Sequence, residues 1–405
     1  MSTGLHLEAP FSGDAEALLD GIVEELSGRS LDPPARGEVE GATLYLELHP
    51  AAEPVMIEAR DGRVVLRANT ITAGPGYHRF VVEIAESLDL TWAAGGDPSE
   101  WRESRDDAAL DAFFLDWLSA GAAQIIELAS EGMSGFALAM PAGVAFDHDG
   151  VVATQLGPRS MAWLEAVRRE PADGVDVFPW WGPAKDAGYF RGLALTEAWR
   201  TIRWRAPLID EERAALERFA TWTEKAHGLD PELDLPWAEQ SEILTYLEES
   251  SLRATRAHLK AQELGEGQIG YRRRHVRVEL SGGWHLSVPG ELAERWDERG
   301  TWVGWDESRS VFFISFTAET DGPTPSTQHT LSTMPPLEGD ELLELERDEL
   351  RGIAALSEIE EDGRPLHRLE AHAAIGPHAA IGTLVFSEPG DREWALATWG
   401  SLGRD

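Results

Sequence analysis

The chain has 405 residues, of which 42% are hydrophobic, and its 72 acidic residues against 35 basic ones give a formal net charge of −37. That charge disfavours nucleic acid and anionic membranes as partners. Its first interpretation is general solubility in a high-GC or salt-adapted proteome, and the alternatives are attraction to a partner with a basic surface and mimicry of the charge of DNA. Because the chain contains no cysteine, disulfides, thiolate nucleophiles and cysteine-ligated metal centres are excluded.

The first 157 residues are predicted to form an N-terminal α+β domain. Short alternating runs predict strands, and the pair Asp61-Gly62 between two of them is typical of a β-hairpin turn. Longer runs with apolar residues at helical spacing predict helices. The expected elements, in chain order, are a helix over 14–27, strands over 43–48, 54–59 and 63–68, helices over 75–90 and 107–131, and strands over 135–140, 143–147 and 151–156.

The stretch Gly74-Pro75-Gly76 offers a choice between a phosphate-binding loop and the start of a helix. A phosphate loop requires a Gly-Lys-Ser/Thr ending, and a dinucleotide fingerprint requires a third glycine where this chain has Arg79. Proline removes one N–H donor, although it fits the first turn of a helix well. We therefore predict a helix start, with His78 available to a binding partner.

Residues 158–265 are predicted to form a helical segment, with helices over 161–170, 185–205, 210–228 and 237–265. Asp210 is expected to cap the third helix and Gly228 to end it. The pair Trp180-Trp181 lies in a stretch rich in proline and glycine. These two side chains are expected either in the core, as most aromatics are, or at the surface as anchors of an interface.

Two arginine-rich patches stand out in so acidic a chain, at 199–207 and 271–280. They contain the candidate binding residues Arg203, Arg205, Arg272, Arg273 and Arg274. One interpretation is internal pairing with neighbouring carboxylates, which is common in proteins. The other is a site for an anion or an acidic partner, because guanidinium groups bind oxyanions through paired hydrogen bonds.

Residues 270–405 return to a period of two, which predicts a C-terminal antiparallel sheet with flanking helices. Strands are expected over 275–280, 283–289, 300–305, 310–318, 353–359, 364–373 and 379–386, helices over 290–297 and 340–350, and an aromatic strand near 393–399. This order of elements, with Trp-x-Leu-Ser-Val-Pro at 284–289, resembles the PsbP-like α+β fold over about 270–402. The resemblance implies an accessory or assembly role through protein binding, and it implies no active site.

The string 147–151, Asp-His-Asp-Gly-Val, resembles the first motif of the haloacid dehalogenase hydrolases. By that resemblance Asp147 is the nucleophile and Asp149 the general acid/base, and both carboxylates bind Mg²⁺. A β-hairpin turned by Asp-His-Asp-Gly accounts for the same residues. The two interpretations predict an Mg²⁺-dependent phosphohydrolase and a structural turn, respectively, and we favour the turn.

Taken together, the sequence predicts a three-part α+β protein. The parts are an N-terminal domain (1–157), a helical segment (158–265) and a C-terminal domain (270–405). The predicted function is that of a non-enzymatic, cytoplasmic accessory factor that binds another protein in a bacterial defence, immunity or assembly system. It has no cofactor, no metal and no membrane insertion. The alternatives are the phosphohydrolase built on Asp147 and Asp149 with Mg²⁺ and an anion-binding module built on the arginine patches.

Overall fold

A computed structural model describes residues 4–29, 31–141, 146, 151–265, 267–318 and 323–404. Its contacts divide the chain into two compact units. The N-terminal unit contains residues 1–202 and 213–270, and the C-terminal unit contains 203–212 and 271–405. The helical segment predicted over 158–265 therefore packs for the most part with the N-terminal strands, in one unit. Helices and antiparallel sheets make up both units, so the predicted α+β class is confirmed.

The strands and helices of the N-terminal unit alternate in clusters along the chain. In the part that the structure describes they are β1 (Leu5–Pro10), α1 (Ala15–Gly28), β2 (Arg36–Glu40), β3 (Thr43–Glu47), β4 (Val55–Arg60), β5 (Arg63–Ala68), α2 (Pro75–Ser87), α3 (Trp101–Ser104), α4 (Asp107–Ser130), β6 (Val151–Val152), β7 (Arg159–Ser160), α5 (Met161–Arg169), α6 (Ala187–Arg200), α7 (Asp210–Leu229), α8 (Trp237–Tyr246) and α9 (Leu252–Ala261).

Five of these strands form an antiparallel sheet in the order β1-β5-β4-β3-β2. The predicted hairpin between β4 and β5 is confirmed, because Asp61 and Gly62 both have positive φ, at 55° and 76°, as a two-residue turn requires. Strands β1 and β2 are additional to the three predicted ones. Alternate residues of the sheet, among them Leu46 and Ile57, are buried and form the core.

The predicted start of α2 at Pro75 is confirmed. Gly74, with φ 109°, precedes the helix, a conformation that a side chain would strain. The N–H of Gly76 donates to the carbonyl of Trp180 (3.1 Å), and the N–H of Trp180 donates to the carbonyl of Ala73 (2.9 Å). A Cβ on Gly76 would lie 2.3 Å from the carbonyl oxygen of Gly182. The glycines therefore admit a second chain segment against the first helical turn.

The helical segment differs from its prediction in four places. The helix expected over 185–205 is α6, which ends at Arg200, and Gly228 lies inside α7 rather than ending it. The helix expected over 237–265 is two helices, α8 and α9, because Glu248 adopts φ 56° and Ser251 caps a new helix by accepting from the N–H of Ala254. Asp210 is the first residue of α7 rather than its cap. Of the strands expected over 135–156, the described residues contain β6 and an isolated bridge between Ala137 and Ala153, and most of 143–147 lies outside them.

The C-terminal unit is built mainly from strands. Its elements within the described residues are β8 (His275–Glu279), β9 (Trp284–Pro289), β10 (Ala293–Trp296), β11 (Trp302–Trp305), β12 (Arg309–Thr317), α10 (Thr327–Ser332), β13 (Glu341–Arg347), β14 (Leu350–Glu361), β15 (Arg364–Ile375), β16 (His378–Phe386), α11 (Arg392–Gly400) and β17 (Gly403–Arg404).

A seven-stranded antiparallel sheet, in the order β10-β11-β12-β16-β15-β14-β13, dominates this unit. A smaller sheet has the order β17-β9-β8. Trp302 and Phe313 on the inner face of the large sheet are buried, and Trp399 of α11 and Leu286 of β9 lie against this face. The strands predicted over 353–359, 364–373 and 379–386 are confirmed as β14, β15 and β16.

Three elements of this unit were predicted wrongly. The helix expected over 340–350 is the strand β13, the helix expected over 290–297 is the strand β10, and the strand expected near 393–399 is the helix α11. In β13 the sequence Glu-Leu-Leu-Glu-Leu-Glu-Arg suits both the helical period of about 3.6 residues and the strand period of two. Pairing with β14 through a tight turn at Asp348, which has φ 51°, decides the outcome, since strand formation depends strongly on cross-strand neighbours.

Candidate functional site

Two of the predicted binding arginines are bound to one carboxylate inside the C-terminal unit. Arg203 and Arg272 both donate to Oε1 of Glu294, at 2.6 and 2.8 Å. Burial lowers the pKa of Arg203 to about 10 and lowers that of Arg272. Burial by itself would raise the pKa of Glu294, but the charges of Arg272 and Arg203 outweigh it and lower that pKa. The cluster is thus a compensated buried ion network.

The other arginines of the two patches have similarly local contacts. Arg205 donates to both carboxylate oxygens of Glu212, at 2.7 and 2.8 Å. The guanidinium of Arg273 lies over the ring of Trp204, 3.6 Å from its centroid, in a cation–π arrangement. Arg274 is exposed. These contacts agree with internal pairing, and an anion site built on the patches stays a prediction.

The tryptophan pair is mostly interior. Trp180 is 3% exposed, and its ring lies 4.5 Å from that of Tyr189. It also contacts the start of α2 through the backbone, as described above. Trp180 is therefore a core residue, and the expectation that it anchors an interface is wrong in this structure. Trp181 is half-buried and its carbonyl accepts from Arg79 at 3.3 Å.

His78 is buried, contrary to its predicted availability. Thr70 Oγ1 lies 2.9 Å from Nδ1, and Ser99 Oγ lies 3.2 Å from Nε2. The hydroxyl of Ser99 donates to Asp97 at 2.7 Å. Burial would raise the pKa of Asp97, but the hydrogen bonds from His78 and Ser99 outweigh it and lower the pKa. Because the serine proton is donated to the carboxylate and all the groups are buried, the cluster stabilises the loops around α2.

Asp147 and Asp149 lie outside the described residues. Within the part of the chain that the structure describes, no three histidine or acidic side chains are grouped so as to hold a metal ion. The phosphohydrolase interpretation and its Mg²⁺ therefore stay predictions.

Apolar side chains lie in a row across the outer face of the seven-stranded sheet; the buried His372 interrupts the row, and Ile314 and Ile381 are half-buried. On β12, Phe312, Ile314 and Phe316 alternate with the buried inner residues, and Phe312 and Phe316 are 41% and 45% exposed. Ile314 of β12 lies opposite Ile381 of β16. On β15, His372 lies opposite Ile381 on one side and opposite Ile353 of β14 on the other. Directly paired residues share a face. We call Phe312, Ile314, Phe316, Ile353 and Ile381 the apolar stripe.

Acidic side chains lie beside the apolar stripe on the same face. Glu344 of the edge strand β13 pairs with Ile353, and Glu370 pairs with Thr383, the neighbour of Phe312. Leu342 of β13 is 71% exposed on this face. The sequence predicted β12 but not this surface. The sequence 312–316, Phe-Phe-Ile-Ser-Phe, indicates such a surface, because apolar residues at both odd and even positions lie on both faces of a strand.

One described helix, α4, is long and apolar enough to cross a membrane by length and composition. Leu110, Phe114 and Leu118 of this helix are fully buried within the N-terminal unit, and 28% of its apolar window is buried in all. Cytoplasmic location stays a prediction.

Comparisons with known proteins add little to this description. No family model matches the chain, and no curated protein matches it. A crystal structure of a protein from Bacteroides thetaiotaomicron VPI-5482, solved at 1.50 Å resolution, aligns with 30% of this chain at 12% identity and a TM-score of 0.25. The chain spans 45% of the length of that protein. A likeness of this size carries no argument, and the PsbP-like resemblance stays a prediction.

Proposed function

We propose that the protein is a non-enzymatic accessory factor that binds another protein through the apolar stripe, and that the partner has a basic and apolar surface. The observation that supports this is the exposure of Phe312 and Phe316 on one face of β12, with Ile314 between them. A contiguous apolar patch on a soluble protein commonly marks an interaction site. Burying a phenylalanine side chain contributes about 1.5–3 kcal/mol, so the two aromatics suit central anchors.

The charge around the stripe supports the chemistry proposed for the partner. Glu344 and Glu370 flank the stripe, and the whole chain has a net charge of −37. A basic partner is attracted by that field, and its association slows as salt screens the charges. An acidic partner is repelled. The expected partner is therefore a protein with exposed arginine or lysine around an apolar centre.

Site-specific photo-crosslinking in the native host tests the proposal. A photoreactive phenylalanine analogue replaces Phe312 in one variant and Phe316 in another. We expect both to give the same higher-mass adduct, identified by mass spectrometry as a single basic protein. The purified pair is then expected to bind with an affinity that falls between 50 and about 300 mM salt.

A matched control uses Leu252, which is 90% exposed in the N-terminal unit. The analogue at Leu252 is expected to give no such adduct. The double variant Phe312→Ser with Phe316→Ser is expected to lose binding by at least about tenfold, while Leu252→Ser binds as the wild type does. Equal adducts from all three positions, or unchanged binding by the double variant, would show that the stripe is not the binding surface.

A further inference from the structure

A cavity of about 290 Å³ lies within the N-terminal unit, beside the edge of the five-stranded sheet. Its walls come from distant parts of the chain, with Arg36 on β2, His49 after β3, Glu197 on α6, and Arg218 and Trp222 on α7. This volume accommodates a small metabolite. None of these residues belongs to the candidate sites predicted from the sequence or to the apolar stripe.

Guanidinium groups dominate the chemistry of this cavity, which we call the arginine pocket. Arg218 donates through Nε to Oε1 of Glu197 at 2.9 Å, and this bond fixes the plane of its guanidinium. Arg36 is exposed and lies opposite Glu47 of β3, and both Glu47 and Arg200 of the 199–207 patch also line the cavity. Although the chain is strongly acidic, charges farther away than about 8 Å are largely screened at physiological salt. Three arginines against two glutamates leave the walls with a net positive charge, which favours an anion.

Glu197 and His49 in the pocket walls each hold a buried polar atom without a hydrogen-bond partner among the described residues. These atoms are Oε2 of Glu197 and Nε2 of His49, whose Nδ1 accepts from the N–H of Ala51 at 3.1 Å. Neither atom has exposed surface, so neither reaches the open volume of the pocket. The contacts to a ligand therefore come from the more exposed charged groups of the walls.

We propose that the arginine pocket binds the oxyanion of a small metabolite, a carboxylate or a phosphate, through Arg36 and Arg218. Paired N–H groups of arginine match the oxygen spacing of both oxyanions. The arginine pocket is separate from the apolar stripe, and its binding of an anion does not depend on whether the stripe binds a protein.

Isothermal titration calorimetry tests the proposal with two probes, inorganic phosphate and L-malate, at constant ionic strength and pH 7. We expect saturable one-to-one binding of at least one probe. Binding of phosphate alone assigns the site to phosphate esters, and binding of malate alone assigns it to hydroxycarboxylates. No saturable heat with either probe up to about 50 mM, which corresponds to negligible affinity, would overturn the proposal.

Three variants identify the site. Arg36→Gln and Arg218→Gln are each expected to weaken binding by at least about tenfold, because each removes charge-assisted hydrogen bonds. Arg213→Gln is the matched control, since Arg213 is an exposed arginine of α7 outside the pocket and should bind within about twofold of the wild type. Arg36 is exposed, so its substitution should leave the melting temperature unchanged. Unchanged affinity in folded Arg36→Gln would overturn the assignment.

Discussion

His49 is a buried neutral imidazole, and we predict that it makes the N-terminal unit less stable as the pH falls. Burial is the main cause that lowers its pKa to about 3, and the charges of Lys185 and Arg200 add to the effect. The ring lies 5.6 Å from that of Tyr77. Protonation of Nδ1 would also place a hydrogen against the N–H of Ala51, which now donates to that atom.

The direction and size of the change in the free energy of unfolding follow from the two pKa values of His49. In the unfolded chain the imidazole has a pKa of about 6.5, and in the folded unit it has a pKa of about 3. Between these values the unfolded state binds one more proton than the folded state does, so the free energy of unfolding falls as the pH falls. The free energy of unfolding changes by at most about 1.4 kcal/mol per pH unit, and it falls by roughly 5 kcal/mol over the whole range between the two pKa values.

Urea unfolding at pH 7, 6, 5 and 4 measures this effect. Pulsed hydrogen exchange, labelled at one fixed pH and read from peptides over 43–60, reports the N-terminal unit alone. The variant His49→Asn retains an acceptor for the N–H of Ala51 but does not titrate, so its stability should depend less on pH. His258→Gln, at an exposed position of α9, is the control and should follow the wild type. Parallel slopes for wild type and His49→Asn would refute this reasoning.

Two further substitutions test the packing. Glu294→Gln should destabilise the C-terminal unit by about 3–5 kcal/mol, because Arg203 and Arg272 stay buried and lose the carboxylate to which both donate. Urea midpoints compared with those of the exposed control Glu298→Gln check this. Gly76→Ala should lower the free energy of unfolding by about 1–3 kcal/mol through overpacking against the segment at Trp180. The control is Gly182→Ala, because a Cβ on Gly182 meets nothing within 4 Å. This change should alter the free energy of unfolding by less than about 0.5 kcal/mol. Equal effects of the two glycine changes would contradict the close approach.

Local signals in the sequence were sufficient for some elements. The hairpin at Asp61-Gly62 and the start of α2 at Pro75 were predictable because turn residues and helical periodicity lie within a few positions of one another. Strand β1 was missed, since it is held by the distant strand β5. Strand β2, Arg-Gly-Glu-Val-Glu, was missed because it has little apolar alternation, although a two-residue turn joins it to β3. The strand β13 was mistaken for a helix because its sequence suits both periods and its partner β14 decides its conformation.

The candidate sites depend on contacts that no local pattern reveals. His78 appeared to be available because the loop that buries it, around Ser99, follows some twenty residues later. The arginine pocket joins Arg36 to Arg218, and neither position carries a motif. By contrast, internal pairing of the arginine patches was among the two interpretations that the excess of carboxylates suggested. The sequence therefore indicates residue chemistry better than it indicates which residues meet.

The contact between the first turn of α2 and the segment at Trp180 has a consequence for the order of events on the ribosome. The two segments of this contact emerge about 100 residues apart. At synthesis rates of about 5–20 residues per second, α2 waits roughly 5 to 20 seconds for the segment that covers it. During that interval the apolar residues Tyr77 and Val81 have no complete core around them, which makes this stage of translation the one at which a chaperone would have most to protect.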